Sequence, residues 1–479
     1  MPHALVRSLQ AFGLYGGPIL AVVAYLGCRE GLGDAQAATA AVTVLCAAWW
    51  CTEAIPIPVT SLVPFVAFPL MGVLDHEQLA SALGNKFILL FMGGFMISRA
   101  AERSNTHLRV ADAMLRLVGT SSNRRVIIGF MLATAFCSMW ISNTATALIM
   151  LPVAVAVIQR EPDNDRFATC LLLAIAYGAS IGGIATLIGT PPNGVMAAVY
   201  ADQTGRTIDF LSWMTVGVPV SVLMLIACGA LLCWPVRGGV GHDPEDLGRW
   251  TPAQRRVLAV LCITAALWIT RSLPFGLGGW SVWLNMPNAH DATIALLAVV
   301  AMFLIPNGQL DEQGKPVRLL DWETARNIPW GILLLFAGGL AIAKAFGVTG
   351  LAADVGVALE DATEGLHPVL VIGVICLTVT FLTEVTSNTA TTTMLMPVLA
   401  AAAVAEGVDP AVYMIPAALS ASCAFMLPVA TPPNAIVFGG ADAVTIPKMV
   451  RYGFVLNLTG VVVITLTCYA LLNQAPGLG

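Results

Sequence analysis

Long apolar segments without charged residues follow one another along almost the whole chain of 479 residues. A segment of about 20 apolar residues is long enough to cross the hydrocarbon core of a bilayer as a helix. Because hydrocarbon offers no partner for backbone polar groups, such segments satisfy their own N–H and C=O groups by forming helices. The sequence therefore predicts about eleven helical crossings, at 9–28, 38–55, 59–74, 86–101, 168–200, 211–234, 256–272, 291–305, 329–346, 411–440 and 450–472.

Charged residues make up only 11% of the chain and hydrophobic residues 57%. A soluble domain carries roughly 25% charged residues, so a water-soluble enzyme and a disordered scaffold are excluded. The net charge of −5 provides no basic surface for nucleic acid. The composition therefore predicts an all-α polytopic membrane protein without a nucleic-acid partner.

The eleven cysteines lie mostly inside apolar segments and form no CxxC pair, so we expect neither a zinc site nor a redox site. His76, His107 and His290 are expected in solvated loops. Arg7 precedes the first apolar segment, and no small-residue cleavage site follows that segment. We therefore interpret the segment as the first transmembrane helix and not as a signal peptide.

Two further apolar blocks, 126–158 and 367–404, are each interrupted near the middle by a polar cluster. The clusters are Ser142-Asn143-Thr144 and Ser387-Asn388-Thr389. A straight spanning helix would place each cluster near the bilayer centre, where unpaired polar groups are costly. Two half-length helices that enter and return on one side would instead bring the cluster to a protein-lined cavity. We therefore predict two re-entrant hairpins.

The charges around these two blocks predict their orientation. Arg124, Arg125, Arg160 and Arg166 flank the first block, whereas the flanks of the second carry acidic residues and no Lys or Arg. Because cytoplasmic loops are enriched in Lys and Arg, the first hairpin is predicted to open to the cytoplasm and the second to the outside. With a cytoplasmic amino terminus and eleven crossings, the carboxyl terminus lies outside.

The two halves of the chain carry the same motifs in the same order. Phe91-Met92-Gly93-Gly94-Phe95 corresponds to Phe336-Ala337-Gly338-Gly339-Leu340, and the two Ser-Asn-Thr clusters correspond to each other, both at a separation of 245 residues. Gly189-Thr190-Pro191-Pro192-Asn193 corresponds to Ala430-Thr431-Pro432-Pro433-Asn434 at a separation of 241 residues. Each copy contains an odd number of crossings, which inverts the second copy and predicts the inverted repeat of secondary transporters.

The Ser-Asn-Thr clusters and the Thr-Pro-Pro-Asn motifs are the candidate binding residues. A helix break frees backbone groups, and helix ends carry partial charge, so helix N-termini favour carboxylates and exposed carbonyls favour sodium. Two consecutive prolines remove N–H donors and force such a break. Polar helix packing or a proline kink would explain one copy of each motif. The duplication favours a binding site, with Thr190 and Thr431 directed into the same cavity as the hairpin tips.

No Lys or Arg occurs within 126–158, 168–200, 367–404 or 411–447. An anionic substrate would therefore lack a fixed basic partner in these elements, and its desolvation is costly without one. Co-bound cations are expected to supply the positive charge. Glu384 lies in the second hairpin without a basic neighbour, and two roles stay open for it: a carboxyl bonded to the backbone, or a protonatable coupling group.

At these motifs the sequence resembles the divalent anion/sodium symporter family, the sodium-coupled di- and tricarboxylate transporters. The paired clusters, the paired Thr-Pro-Pro-Asn motifs and Thr52-Glu53-Ala54-Ile55-Pro56-Ile57-Pro58-Val59-Thr60 carry the resemblance, which covers essentially the whole chain. It implies a homodimer in which a transport domain slides against a scaffold domain as an elevator. The implied scaffold is 1–118 and 236–366, and the implied transport domain is 119–235 and 367–479. We expect the protein in the bacterial inner membrane.

The resemblance also implies a set of site residues, with sodium as the coupling ion and no other cofactor. The implied first sodium site consists of Ser138, Ser142, Asn143 and the carbonyl of Gly189. The implied second sodium site consists of Thr383, Ser387, Asn388 and the carbonyl of Ala430. The carboxylates of the substrate would contact Asn143, Thr144, Thr190, Asn388, Thr389, Thr431 and Pro432.

Both sodium-site patterns are intact, which favours sodium-coupled symport of a dicarboxylate such as succinate, malate or fumarate, or of citrate. The family also contains sodium-independent exchangers, so dicarboxylate exchange is the alternative within the same fold. A membrane-embedded enzyme or a receptor is the alternative from another class. Gly31-Leu32-Gly33-Asp34 matches the GxGD motif of intramembrane aspartyl proteases. It is expected in a loop without a partner aspartate in a spanning helix, so no enzyme is expected.

The predicted orientation can be tested by cysteine labelling in a cysteine-free background. Glu364→Cys lies beside the second block and Arg160→Cys beside the first. A membrane-impermeant maleimide added outside should label position 364 and should leave position 160 unlabelled until the cells are lysed, because the two flanks face opposite compartments. Equal labelling of both positions before lysis, or the reverse pattern, would contradict the orientation.

Overall fold

The computed structural model describes residues 3–119, 121–161, 163–236, 248–273, 277–363, 365–440 and 443–472. Most of the predicted polar linker, from 237 to 247, lies outside the described residues, as do Glu364 and the predicted outer carboxyl terminus at 473–479. Within the described part of the chain, helices are joined by short connections and by one small antiparallel sheet.

The first half of the described chain consists of α1 (His3–Leu32), α2 (Asp34–Thr52), α3 (Ile57–Thr60), α4 (Val63–Leu70), α5 (His76–Leu83), α6 (Lys86–Arg103), α7 (Thr106–Val118), α8 (Asn123–Ser138), α9 (Asn143–Ile158), α10 (Asp165–Ile184), α11 (Pro191–Thr204) and α12 (Phe210–Cys233). The second half consists of α13 (Pro252–Thr270), α14 (Trp280–Trp283), α15 (Asp291–Leu304), β1 (Pro306–Leu310), β2 (Pro316–Arg318), α16 (Trp322–Ala325), α17 (Trp330–Thr349), α18 (Leu351–Thr363), α19 (Pro368–Leu382), α20 (Asn388–Ala405), α21 (Ala411–Ala421), α22 (Pro432–Gly440) and α23 (Ile446–Leu472).

Among the described residues, nine helical segments are long and apolar enough to cross a membrane. Shorter apolar helices accompany them, including α9 and α19 of the two interrupted blocks. Helices α8 and α9 occupy the first block, and α19 and α20 occupy the second, each pair with a break at the Ser-Asn-Thr cluster. The chain is therefore mostly helical, as predicted.

Several predicted crossings are divided in the structure. The predicted helix 59–74 consists of α3 and α4, each with a proline in its first turn, where the missing N–H is tolerated. The segments 168–200 and 411–440 are each divided by an irregular stretch, at 185–190 and 422–431. The pair β1–β2 is a small departure from the all-α prediction, and its short polar strands lack the apolar alternation that predicts a sheet.

The histidines correct the expectation that all three lie in solvated loops. His107 lies in α7 and is only 5% exposed, with its Nδ1 3.0 Å from the carbonyl oxygen of Ala101. It is buried because α7 is amphipathic and packs against α8. His290 is half-buried and caps α15, accepting from the N–H of Ala292 at 3.2 Å. His76 is exposed, but it begins α5.

Helix α10 lies at the centre of the described structure, and its apolar stretch is fully buried. It contacts α8, α9, α12 and α22. A Cβ at Gly178 would lie 2.8 Å from the carbonyl oxygen of Met131, and a Cβ at Gly182 would lie 2.2 Å from that of Ala135. Small residues bring membrane helices together in this way, so α8 and α10 pack backbone against backbone.

Helix α10 also joins the two halves of the chain. The buried hydroxyl of Tyr177 donates to the carbonyl oxygen of Phe425 at 3.0 Å, and the carbonyl oxygen of Met449 lies 3.4 Å from it. The rings of Tyr177 and Phe425 pack edge to face with centroids 5.2 Å apart. A buried phenol needs such an acceptor, so the central helix of the first half is bonded to the irregular stretch of the second half.

The close packing of α8 on α10 predicts the effect of one added methyl group. Gly182→Ala places a Cβ against the backbone of Ala135, which cannot rotate away as a side chain could. The helices must separate, and overpacking of this kind lowers the free energy of unfolding by about 1–3 kcal/mol. The measurement is the thermal unfolding midpoint of the purified protein in detergent.

Gly27→Ala is the matched control, because nothing lies within 4 Å of a Cβ at that position of α1. It should be neutral or slightly stabilising, since alanine favours a helix over glycine. A Gly182→Ala variant as stable as Gly27→Ala would contradict the backbone-to-backbone packing.

Candidate functional site

The two interrupted blocks begin their second helices in the same way. Ser142 caps α9, where its hydroxyl accepts from the N–H of Ala145 at 3.1 Å. Ser387 caps α20, where its hydroxyl accepts from the N–H of Ala390 at 3.5 Å. Serine is a preferred N-cap because it satisfies an N–H group that the first helical turn leaves unpaired. The Ser-Asn-Thr sequence therefore starts the second helix of each block, four or five residues after the first helix has ended.

At the first break, two acceptor oxygens lie close to one hydroxyl. The Ser138 Oγ lies 2.5 Å from Asn143 Oδ1 and 2.7 Å from the carbonyl oxygen of Ala179. A Cβ at Gly183 would lie 2.8 Å from Asn143 Oδ1 and 3.1 Å from the carbonyl oxygen of Gly189. The absence of a side chain at Gly183 thus leaves a small space that the Asn143 side chain and one further oxygen, the Gly189 carbonyl, adjoin.

The second break repeats this arrangement with residues from the second half. The Thr383 Oγ1 lies 2.6 Å from Asn388 Oδ1 and 3.0 Å from the carbonyl oxygen of Ala421. Thr383 and Asn388 follow Ser138 and Asn143 by 245 residues each. Ser138 and Thr383 are both completely buried. The repeated motif therefore produces two matching oxygen clusters.

The last residue of each Thr-Pro-Pro-Asn motif holds the irregular stretch before it. The amide of Asn193 donates to the carbonyl oxygens of Thr186 at 2.8 Å and Gly183 at 3.2 Å. The amide of Asn434 donates in the same way to two carbonyl oxygens of the second stretch, each at 3.0 Å. Both asparagines are completely buried. This role of the two asparagines is not predicted from the sequence, although the presence of the same residue in both copies is a signal for it.

A cavity of about 1600 Å³ lies between the two breaks. The seven predicted substrate-contact residues all line it, namely Asn143, Thr144, Thr190, Asn388, Thr389, Thr431 and Pro432. The predicted sodium-site residues Ser142, Gly189, Ser387 and Ala430 also line it. Ser138 and Thr383 lie outside the lining, because they are buried among the helices. Phe91 of α6 and Leu335 of α17 line it as well.

The charged residues of the cavity wall are Glu53, Arg99 and Glu102, and none of them belongs to the repeated motifs. Arg99 is already bonded, to a carboxylate oxygen of Glu102 at 2.8 Å and to the carbonyl oxygen of Asn327 at 2.7 Å. The lining contributed by the motifs consists of amides, hydroxyls, carbonyls and apolar groups. This part of the wall can coordinate a cation and donate hydrogen bonds, but it carries no fixed positive charge.

The described residues contain no group of three or more His, Cys, Asp or Glu side chains that could hold a metal ion. The GxGD aspartate, Asp34, begins α2 at the surface and pairs with Arg29 at 2.7 Å. The oxygen-only clusters at the two breaks suit a hard monovalent cation, as unwound carbonyls and hydroxyls do in sodium-coupled transporters. A helical membrane protein with such broken helices, whose polar ends line a shared cavity, belongs to the class of secondary transporters.

Residues 17–472 match the family described as the sodium:sulfate symporter transmembrane region. The chain therefore belongs to the divalent anion/sodium symporter family, as its motifs predicted, and it is an integral membrane transporter and not an enzyme. It is 40% identical to the sodium-dependent dicarboxylate transporter SdcS of Staphylococcus saprophyticus, over 98% of this chain and 92% of that protein. The identity to SdcS of Staphylococcus aureus strain MRSA252 is also 40%, with the same coverage.

Two solved transporter structures share the fold. The YdaH transporter of Alcanivorax borkumensis superposes with a TM-score of 0.63 at 14% identity, over 91% of this chain and 99% of that one. MtrF of Neisseria gonorrhoeae superposes with a TM-score of 0.58 at 12% identity, over 86% of each chain. At such low identity the similarity concerns the fold alone.

Proposed function

We propose that this chain is a sodium-coupled symporter of dicarboxylates such as succinate, malate or fumarate, and that it works by an elevator mechanism. The observation that carries this proposal is the pair of matching oxygen clusters beside one cavity, whose motif-derived wall has no basic side chain. The 40% identity to SdcS, a sodium-dependent dicarboxylate transporter, supports both the substrate class and the coupling ion.

A count of protons supports sodium at the two clusters. The hydroxyl of Ser138 has one proton but lies within hydrogen-bonding distance of two acceptors, Asn143 Oδ1 and the Ala179 carbonyl. Thr383 has the same surplus of acceptors. A bound cation would relieve it. We assign the first sodium ion to Ser138, Ser142, Asn143 and the Gly189 carbonyl, and the second to Thr383, Ser387, Asn388 and the Ala430 carbonyl.

The substrate would bind where four helices begin. The N-termini of α9, α11, α20 and α22 all border the cavity, and helix N-termini carry partial positive charge that favours carboxylates. Two of these helices come from each half of the chain, so a short dicarboxylate can place one carboxylate against each half. The contacting residues would be Asn143, Thr144, Thr190, Asn388, Thr389, Thr431 and Pro432.

The sodium ions would supply the charge that the cavity wall lacks. A dianion with two sodium ions is neutral, and a third ion would make the complex positive. Sodium and substrate then strengthen each other's binding, and by linkage the effect is reciprocal. Moving one net charge through the membrane potential contributes about 2.3 kcal/mol per 100 mV, which helps to concentrate the substrate in a cell with a negative interior.

The cavity's position supports the elevator mechanism. Residues of α9, α11, α20 and α22 line it together with residues of α6 and α17. We propose that 119–235 and 367–479 form a transport domain that slides against a scaffold of 1–118 and 236–366. The proposed architecture is an inverted repeat of about eleven crossings and two re-entrant hairpins. We place it as a homodimer in the bacterial inner membrane, with the amino terminus in the cytoplasm and the carboxyl terminus outside.

Uptake into proteoliposomes separates symport from exchange. With a sodium gradient directed inward and no internal dicarboxylate, labelled succinate should accumulate. The succinate concentration that gives half-maximal uptake should fall as external sodium rises. The expected electrical signal is an inward positive current, because more than two sodium ions would accompany each dianion. Rapid swapping of external for internal succinate without sodium would contradict symport and identify an exchanger.

The hairpin asparagines are expected to be essential for transport. Asn143→Ala and Asn388→Ala each remove an amide that the proposal shares between a sodium ion and a carboxylate. Each should lower the initial uptake rate at least about tenfold, because a loss of 1.4 kcal/mol in binding is already a factor of ten. Thermal unfolding should be little changed.

Asn85→Ala is the matched control for these variants. Asn85 also starts a helix, since it accepts from the N–H of Phe87 at 2.9 Å, but it does not line the cavity. Loss of this cap costs about 1 kcal/mol of stability and should leave uptake near the wild-type rate. Near-normal uptake by both Asn143→Ala and Asn388→Ala would contradict the proposal and indicate that the two breaks serve helix packing and not binding.

A further inference from the structure

Glu384 follows the second hairpin's first helix, α19, and is 3% exposed. Its Oε1 accepts from the backbone N–H of Phe425 at 2.7 Å and of Met426 at 2.9 Å. Its Oε2 accepts from the N–H of Leu427 at 3.1 Å, and the side-chain amide of Asn457 donates to Oε1 at 2.7 Å. All four partners are N–H donors, which suits an ionised carboxylate because that group only accepts.

These bonds hold the irregular stretch 422–431 by its N–H groups, while Asn434 holds it by its carbonyls. Helix α23 approaches the same stretch through Gly453, where a Cβ would lie 2.3 Å from the carbonyl oxygen of Phe425. Asn457 lies one turn further along α23 and reaches the carboxylate. The hairpin break, the irregular stretch and α23 therefore meet at Glu384.

The first half of the chain has no acidic residue at the corresponding position. That position, 245 residues earlier, is Met139. There the hydroxyl of Thr186 donates to the backbone carbonyl of Met139 at 2.6 Å. A neutral hydrogen bond thus connects the hairpin to the irregular stretch in the first half, whereas a carboxylate makes the connection in the second half.

The charge of Glu384 is not cancelled by its partners. Backbone and amide N–H groups stabilise a carboxylate, but they carry no net charge. Among the described residues, no Lys, Arg or His forms an ion pair with Glu384. The residue before it, Thr383, contributes the hydroxyl of the second oxygen cluster. A negative charge beside a cation site in a poorly polarisable interior strengthens cation binding far more than it would in water.

We propose that Glu384 makes the second sodium site stronger than the first, so that the second site fills at a lower sodium concentration. Glu384 is a positioning residue, which fixes the stretch that carries Ala430 and adds a negative charge to the neighbouring site. This inference rests on the proposed function, because it takes the two oxygen clusters to be sodium sites.

Sodium binding can be measured without transport, from the thermal unfolding midpoint of the purified protein as sodium chloride replaces choline chloride. For the wild type we expect two steps of stabilisation, the step at lower sodium arising from the second site. Glu384→Gln should raise the sodium concentration of the lower step at least about tenfold, equivalent to 1.4 kcal/mol, and should leave the upper step unchanged. Glu384→Asp keeps the charge and should recover most of the affinity.

Thr186→Val is the matched control, because it removes the neutral connection of the first half and should leave the lower step unchanged. Two further variants assign the steps and decide the order of filling even if Glu384→Gln does not fold. Thr383→Val should abolish the lower step and Ser138→Ala the upper one.

If Thr383→Val abolished the upper step and Ser138→Ala the lower one, the inference would be overturned, although sodium binding itself would stand. The inference would also be overturned if Glu384→Gln and Thr186→Val shifted the sodium concentration of the lower step equally. The same holds if Glu384→Asp did not recover the sodium affinity. Stabilisation of the wild type by sodium that is no greater than by choline would overturn the proposed function, and this inference with it.

Discussion

A helix that is interrupted inside a membrane leaves backbone N–H and C=O groups that hydrocarbon cannot satisfy, and the structure of the site depends on how these groups are paired. At the two irregular stretches, the side-chain amides of Asn193 and Asn434 pair these groups by donating hydrogen bonds to backbone carbonyls in or next to the stretch. Without them the stretches would have to close into helix or bind water. With them, the carbonyls of Gly189 and Ala430 stay available at the cavity wall.

The two halves satisfy the same constraint with different chemistry. Close helix contact in the first half comes from glycine, since Gly178 and Gly182 bring α10 against α8. In the second half, the carboxylate of Glu384 accepts from the N–H groups of the irregular stretch. The repeated motifs therefore do not have equivalent surroundings. The oxygen clusters match in geometry, but the stretch beside the second one is held by the carboxylate of Glu384.

The helices, their interruptions and the convergence of the motifs on one cavity could be predicted from the sequence, because each has a local cause. Apolar length predicts the spans, Ser142 and Ser387 predict new helix starts, and paired prolines predict the breaks. The partners of Asn193, Glu384 and His107 could not be predicted in this way. Each depends on which distant backbone group approaches the side chain, and that is decided by packing. The division of 59–74 into α3 and α4 could not be predicted, because a proline such as Pro64 either kinks or ends a membrane helix, and packing decides between the two.

The bond between Tyr177 and Phe425 has a consequence for the order in which the protein is made. The two residues are 248 positions apart, and ribosomes add about 5–20 residues per second, so the acceptor is synthesised roughly 12–50 s after the phenol. Throughout this interval the central helix of the first half has been inserted without its final hydrogen-bond partner. The amino-terminal half is therefore an incomplete bundle until then, and a chain that stops before Phe425 leaves the buried phenol of α10 without this acceptor.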